Sequence, residues 1–142
     1  MANYAITAAS VRPSATAVIR DGTAAATIAQ GDVIYQTSTA GWYNLARADS
    51  ATTDNAAGIA VNGASSGQPI KFVVSDTDFT HGLTSAAAGD ILCLAAATGA
   101  GKIAPAGDMA STNFVTVLGV CKSATKAKIN ITALSASEVA KA

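Results

Sequence analysis

The sequence predicts an all-β fold, a jelly-roll-like or barrel-like β-sandwich built from two similar β units behind an N-terminal arm. Three observations predict it. Short apolar runs are divided by glycine-containing turn pairs roughly every eight to twelve residues, the rhythm of a sandwich or barrel. The last of these runs alternates apolar and polar residues at strand period. The chain also matches itself, because Gly31-Asp32-Val33-Ile34-Tyr35 is answered in kind by Gly89-Asp90-Ile91-Leu92-Cys93.

Residues 1–13 read as an arm ending at Pro13, and Ala17-Val18-Ile19-Arg20 reads as a strand closed by an Asp21-Gly22 turn. The first unit, 30–75, begins at Gly31-Asp32. Glycine takes positive φ freely and aspartate bonds nearby backbone, so the pair sets a tight corner before Val33 and Ile34. Ala40-Gly41 marks a turn ahead of Trp42-Tyr43, Gly58-Ile59-Ala60 forms a further strand, and Asn62-Gly63 marks another turn. Pro69 opens a strand, where its missing N–H does least harm, and Ile70, Phe72 and Val74 share one of its faces.

The stretch from Asp76 to Gly82 reads as a polar loop. In the second unit, 88–131, Gly99 matches Gly41, Ile103 matches Leu45, Ala104 matches Ala46, Gly119-Val120-Cys121 matches Gly58-Ile59-Ala60, and Ile129-Asn130-Ile131 matches Ile70-Lys71-Phe72. Ala127, Ile129 and Ile131 point one way and Lys126, Lys128 and Asn130 the other, the pattern of a strand with one wet face. The alanine-rich stretches 84–89 and 95–97 are too short to hold a helix unaided. In the tail, 132–142, Ser135-Ala136-Ser137-Glu138 resembles a capping box. All of this fits one domain of 142 residues.

Half the residues are hydrophobic but only 5% are aromatic, so the apolar content is mostly small side chains suited to thin, close layers. Nine basic and nine acidic residues cancel, and the bases are scattered, which argues against nucleic-acid binding through clustered phosphate contacts. No run approaches the roughly 18 apolar residues of a membrane span, and no signal-peptide pattern begins the chain, so the expectation is folding in cytoplasm without a membrane partner. Cys93 and Cys121 lie in apolar runs without metal-ligand spacing and are expected to be small buried hydrophobes.

Catalysis would need a base beside a nucleophile, or paired carboxylates. The single histidine, His81, sits among Asp76, Thr77, Asp78, Thr80 and Gly82, and a polar loop accounts for all of them. Asp76 and Asp78 lack the remaining ligands of a calcium loop. Thr98-Gly99-Ala100-Gly101-Lys102 imitates a phosphate-binding loop, but position 96 is alanine, Ile103 stands where Ser or Thr would hold magnesium, and the internal match makes the run a hairpin turn. The expectation is therefore no enzyme, no metal and no cofactor.

Trp42 and Tyr43 say most about binding, since Trp and Tyr give large contact area at small entropic cost. Adjacent in a strand, they face opposite sides, so one can be core while the other meets a partner; core packing for both stays open.

Gly67-Gln68-Pro69-Ile70-Lys71, Ala88-Gly89-Asp90-Ile91-Leu92, Gly101-Lys102-Ile103, Val117-Leu118-Gly119-Val120 and Lys128-Ile129-Asn130-Ile131, in that order, resemble the decoration or cement proteins of tailed-bacteriophage capsids. The resemblance covers about residues 30 to 131 and rests on glycine turns and strand patterns. It implies a structural virion protein that forms a homodimer or homotrimer and braces the major capsid protein shell from its outer surface. The interface candidates are then Tyr4, Ile6, Val11 and Arg12 of the arm, reaching a neighbouring subunit or the capsid, and Trp42 or Tyr43. Two alternatives are a β module of a phage head or tail fibre and a cellular carbohydrate-binding domain. A fibre would carry an oligomerising shaft, and a sugar site several exposed aromatics.

Overall fold

The computed structural model describes residues 4–48, 53, 55–95, 100–108 and 116–133, so the expected capping box and Gly99 lie outside the described residues. Among these, the backbone forms strands β1 (Val18–Ala24), β2 (Val33–Gln36), β3 (Trp42–Leu45), β4 (Ala56–Ala60), β5 (Pro69–Thr80), β6 (Ile91–Leu94), β7 (Ile103–Pro105), β8 (Thr116–Cys121) and β9 (Lys126–Ala133), with two short 3₁₀ turns. They join in one sheet of order β1-β3-β2-β4-β5-β9-β8-β6-β7, and β1 also pairs with β5. That second pairing closes β1, β3, β2, β4 and β5 into a five-stranded barrel, so the fold is all-β and barrel-like.

The two units have the same wiring. β2 pairs antiparallel with β3 and β4, and β4 with β5; β6 pairs antiparallel with β7 and β8, and β8 with β9. Each begins with the same corner. Gly31 and Gly89 hold φ of +95° and +92°, a region that side-chain-bearing residues rarely enter. The next aspartate takes a backbone N–H three residues upstream, Ala29 to Asp32 at 2.9 Å and Ala87 to Asp90 at 3.0 Å. Each glycine N–H then donates across to the β4 or β8 end, at Ala60 or Cys121, at 2.8 Å in both units.

A bulge follows at matching places, where Ile34 faces Gly58 and Leu92 faces Gly119. A Cβ at either glycine would overlap a backbone carbonyl of the adjoining strand, that of Val73 or of Lys128.

Register corrects several sequence matches. Ile34 pairs with Leu45 and Leu92 with Pro105, so Gly41 (φ +82°) corresponds to Gly101 (φ +75°), two positions beyond the expected Gly99. Ala60 faces Phe72 and Cys121 faces Ala127, so Ile70-Lys71-Phe72 corresponds to Thr125-Lys126-Ala127 instead of Ile129-Asn130-Ile131. Hairpins of different length cause both shifts, and matching β-branched letters hid them. Asp21-Gly22 is no turn: both residues lie inside β1, and Gly22 lies beneath the Tyr43 ring, which a Cβ would strike. Asp76 to Thr80 belong to β5, not to a loop.

β5 serves both units. Its first half pairs with β1, and its second half pairs with β9 as β1 pairs with the first. The first unit is thus wider than 30–75, taking in β1.

Closure differs between the units. In the first, β1 reaches β3, with Thr23 N–H donating to the Gly41 carbonyl at 2.8 Å. In the second, the corresponding edge of β7 is taken by Val33 N–H, which donates to Gly101 at 2.7 Å, and by Tyr4 N–H, which donates to Ile103 at 2.9 Å.

Two cores result. Ile28, Ile34, Tyr43, Ile70 and Phe72 fill the barrel with small alanines between them. A second cluster joins Val33, Ile59 and Val73, on the outer side of that barrel, to Leu92, Leu94, Ile103, Leu118 and Ile129 of the second unit. Cys93 and Cys121 are buried there and form no disulfide. Burial, then the nearby Asp90 charge, pushes the Cys121 thiol up to about 11.

Candidate binding surface

β3 presents Trp42 and Tyr43 to opposite sides, as strand geometry requires. Tyr43 is 9% exposed, its ring 4.7 Å from that of Phe72, and its hydroxyl donates to Gln36 at 3.3 Å. It is core, which removes it from the interface candidates. Trp42 is 38% exposed on the outer side of the barrel.

The arm does not extend from the molecule. Ile6 bridges to Leu83, Thr7 N–H donates to the Gly82 carbonyl at 2.8 Å, and Arg12 exchanges backbone bonds with Thr80 at 3.0 Å. The Tyr4 hydroxyl donates to Asp90 at 2.9 Å, and the Ala87 N–H, then this hydroxyl, hold that carboxyl below the usual range. Of the four candidates, Val11 is buried in the main core, Tyr4 and Ile6 are half-buried, and Arg12 is exposed. The physical reason is open backbone on the body: the arm bonds to Thr80, Gly82 and Thr84, and Tyr4 takes one carbonyl of the β7 edge, at Ile103. The arm residues expected to reach a neighbour are therefore largely spent on their own chain.

Outward apolar side chains gather elsewhere. Val18 and Ile19 are exposed on β1, and Ile91 and Val120 face each other as a cross-strand pair on β6 and β8. Beside Val120 on the same face comes Lys128, its partner on β9.

Polar groups between arm and body are structural in their contacts. The Asp76 carboxylate, buried in β5, accepts the Ser14 N–H at 2.7 Å, the Ser14 hydroxyl, the Thr16 hydroxyl and the Asp78 N–H at 3.0 Å. Burial alone would raise its pKa, but the Ser14, Asp78 and Thr16 hydrogen bonds outweigh burial and bring it below the ordinary value. The Lys102 ammonium, at the end of the run that imitates a phosphate-binding loop, pairs with the buried Asp32 at 3.2 Å.

His81 is buried, with Nδ1 accepting the Leu83 N–H at 2.9 Å and Nε2 lacking a hydrogen-bond partner among the described residues. Burial lowers its pKa, with the Ser123 backbone opposing. Next to this segment lies a pocket of about 190 Å³ lined by Thr7, Ser10, Thr80, Gly82, Leu83, Thr84, Ala124 and Thr125. None of those side chains titrates near neutrality or makes a good nucleophile without an adjacent base. No group of three His, Cys, Asp or Glu residues able to hold a metal occurs among the described residues. No helix among them is long and apolar enough to cross a membrane.

The sequence matches no protein-family model and no curated protein. Of the expected interface residues, Trp42 and the Arg12 side chain remain available. Sequence reasoning passed over Ile91, Val120, Val18 and Ile19, reading them as ordinary apolar strand residues. The signal lay in Lys128, whose place on a wet face, once register is known, puts Val120 there too.

Proposed function

We propose that this chain is a structural virion protein, a capsid decoration (cement) protein that binds the outer surface of a tailed-phage major capsid protein shell as a small homo-oligomer. The observation that carries the reading is the distribution of outward apolar side chains. Trp42, Val18 with Ile19, and Ile91 with Val120 lie on the outer sides of strands and not in a cleft, on a chain of zero net charge. Such surfaces suit contact with other protein surfaces. The sequence resemblance set out above points the same way.

Each contact with the shell is then modest, and an oligomer that touches several capsid subunits gains through effective concentration, bracing the shell against internal pressure. The chain would act on the capsid exterior, after assembly in the host cytoplasm, with neither nucleic acid nor membrane as partner.

The test is to mix the purified chain with undecorated capsids and image them. Ordered density at lattice symmetry axes is expected. No binding overturns the reading and leaves the fibre module in its place. Trp42→Ala is expected to lower occupancy while the melting temperature stays within about 2 °C of the parent, a surface change being worth under about 0.5 kcal/mol.

A further inference from the structure

We propose that the front of the arm, residues 5–7, is a strap latched by His81: it is bonded to residues 82–84 while the imidazole is neutral and let go when the ring is protonated, with both units still folded. The device goes beyond the reading above and needs no capsid.

The latch is one short segment. The Gly82 carbonyl accepts the Thr7 N–H at 2.8 Å, Leu83 bridges to Ile6, and the Thr84 N–H donates to the Ala5 carbonyl at 2.8 Å. The segment turns sharply, with φ of +65° at Gly82 and +68° at Ser85, the second a conformation that a residue with a side chain rarely takes. A Cβ at Gly82 would overlap the Thr7 carbonyl. Such a turn keeps its shape only while something holds it. His81 does so, because Nδ1 accepts the Leu83 N–H at 2.9 Å while the His81 N–H is tied to the Thr125 carbonyl at 3.1 Å.

Nδ1 can accept only while it carries no proton, so the neutral ring has its hydrogen on Nε2. Protonation sets an Nδ1–H against the Leu83 N–H, two donors with no acceptor between them. His81 is 2% exposed and Nε2 has no hydrogen-bond partner among the described residues, so the cation gains no compensation where it stands. The Ser123 backbone favours the charged ring, but burial outweighs it. Charged groups on the surrounding elements are engaged elsewhere. Asp76 holds Ser14 and Thr16, Asp78 pairs with Lys122 and Lys126, Asp90 holds Tyr4, and Arg12 is exposed. Since Thr125 fixes the His81 backbone, the side that gives way is 82–84, and its bonds to the arm go with it. The rear of the arm stays, through Thr80 at Arg12 and the Gln30 amide at the Val11 carbonyl. Thr7 then leaves the wall of the pocket it shares with Gly82, Leu83 and Thr84.

Residue-resolved hydrogen exchange on the full chain, from pH 7 down to about pH 4.5 and corrected for intrinsic rates, tests this. Over that range the Asp76 and Asp90 carboxylates, both held below 3.8, stay charged. Protection at the Thr7 and Thr84 amides is expected to fall at least tenfold, at the midpoint where the His81 ring signals titrate. Protection at Ala60 and Cys121, bonded at matching places in the two units, is expected to hold. His81→Asn, which keeps an acceptor and cannot titrate, is expected to leave Thr7 and Thr84 protected throughout. Level protection at Thr7 in the parent overturns the proposal, as does a fall shared by Ala60 and Cys121 or one that persists in His81→Asn. Should that variant misfold, the two midpoints in the parent decide, and a mismatch between them overturns it.

Discussion

The two units share one wiring plan and differ in what their outer rows meet. Val33, Ile59 and Val73 carry three apolar side chains into a shared core, whereas Ile91 and Val120 end in Lys128 and face outward. The same backbone position is thus core in one unit and surface in the other, and a single residue, valine or lysine, records which. Burial belongs to the position within the whole molecule, not to the repeat.

The sharpest way to break the comparison is to place one substitution in both units. Ile59→Lys puts an unpaired charge where the chain is closed to water and is expected to cost at least about 4 kcal/mol, enough to unfold most domains. Val120→Lys at the matching place is expected to alter stability by no more than about 0.5 kcal/mol. Urea unfolding of the two variants, each compared with the parent, decides it. Equal costs would mean that the rows are not differently buried.

Asp76 comes next in size. Asp76→Ala leaves the Ser14 and Asp78 N–H groups without their acceptor, and a loss of about 2 to 3 kcal/mol is expected, measured as a lower urea midpoint. Because the folded pKa lies below the ordinary 3.8, the stabilisation is complete above that value and is lost as pH falls through the folded one. The alanine variant should lack that part of the acid transition. An unchanged transition would place the acid-labile group elsewhere.

The bulge glycines give a smaller effect and test what the units share. Gly58→Ala and Gly119→Ala each force a Cβ toward a carbonyl of the adjoining strand, and each is expected to cost about 1 to 3 kcal/mol. Similar losses in both would make the bulge a common structural device. A loss confined to Gly58 would show the second unit to be slack enough to widen.

Much of this architecture was legible in the sequence because turn chemistry is local. The Gly-Asp corners, the Ala40-Gly41 turn, Pro69 at the head of β5 and the two faces of β9 follow from backbone preference and alternation alone. Tyr43 and Trp42 were separable into two faces for the same reason, though not into core and surface. What stayed hidden was everything set by long-range pairing. Asp21-Gly22 has the letters of a turn, but Gly22 is needed in a strand so that Tyr43 can lie over it. The arm reads as free because its partners, Gly82, Leu83 and Ile103, are some 75 to 100 residues away. The Ile91–Val120 face was concealed because an apolar strand residue looks the same whether or not a layer covers it.

The smallest expected effect concerns the place where the units exchange an aromatic ring between strands. Register sets His81 against Gly22 and Ile103 against Tyr43, so the first unit carries its ring on β3 and the second carries one just beyond β5. The exchange makes the second unit sensitive to pH. Burial lowers the His81 pKa below 6.5, so as pH falls through 6.5 the unfolded chain takes up a proton before the folded one does, and stability declines until the folded value is passed. Protonation would also turn Nδ1 from acceptor to donor against the Leu83 N–H, in the segment that holds the arm at Gly82 and Leu83. Asp76 titrates in a separate, more acidic window, so the two can be told apart. His81→Asn keeps an acceptor near the Nδ1 position and cannot titrate there. Urea midpoints taken from pH 7 down to pH 5 are expected to fall for the parent and stay level for this variant. Parallel declines would assign the proton to another group and leave His81 as a neutral filler.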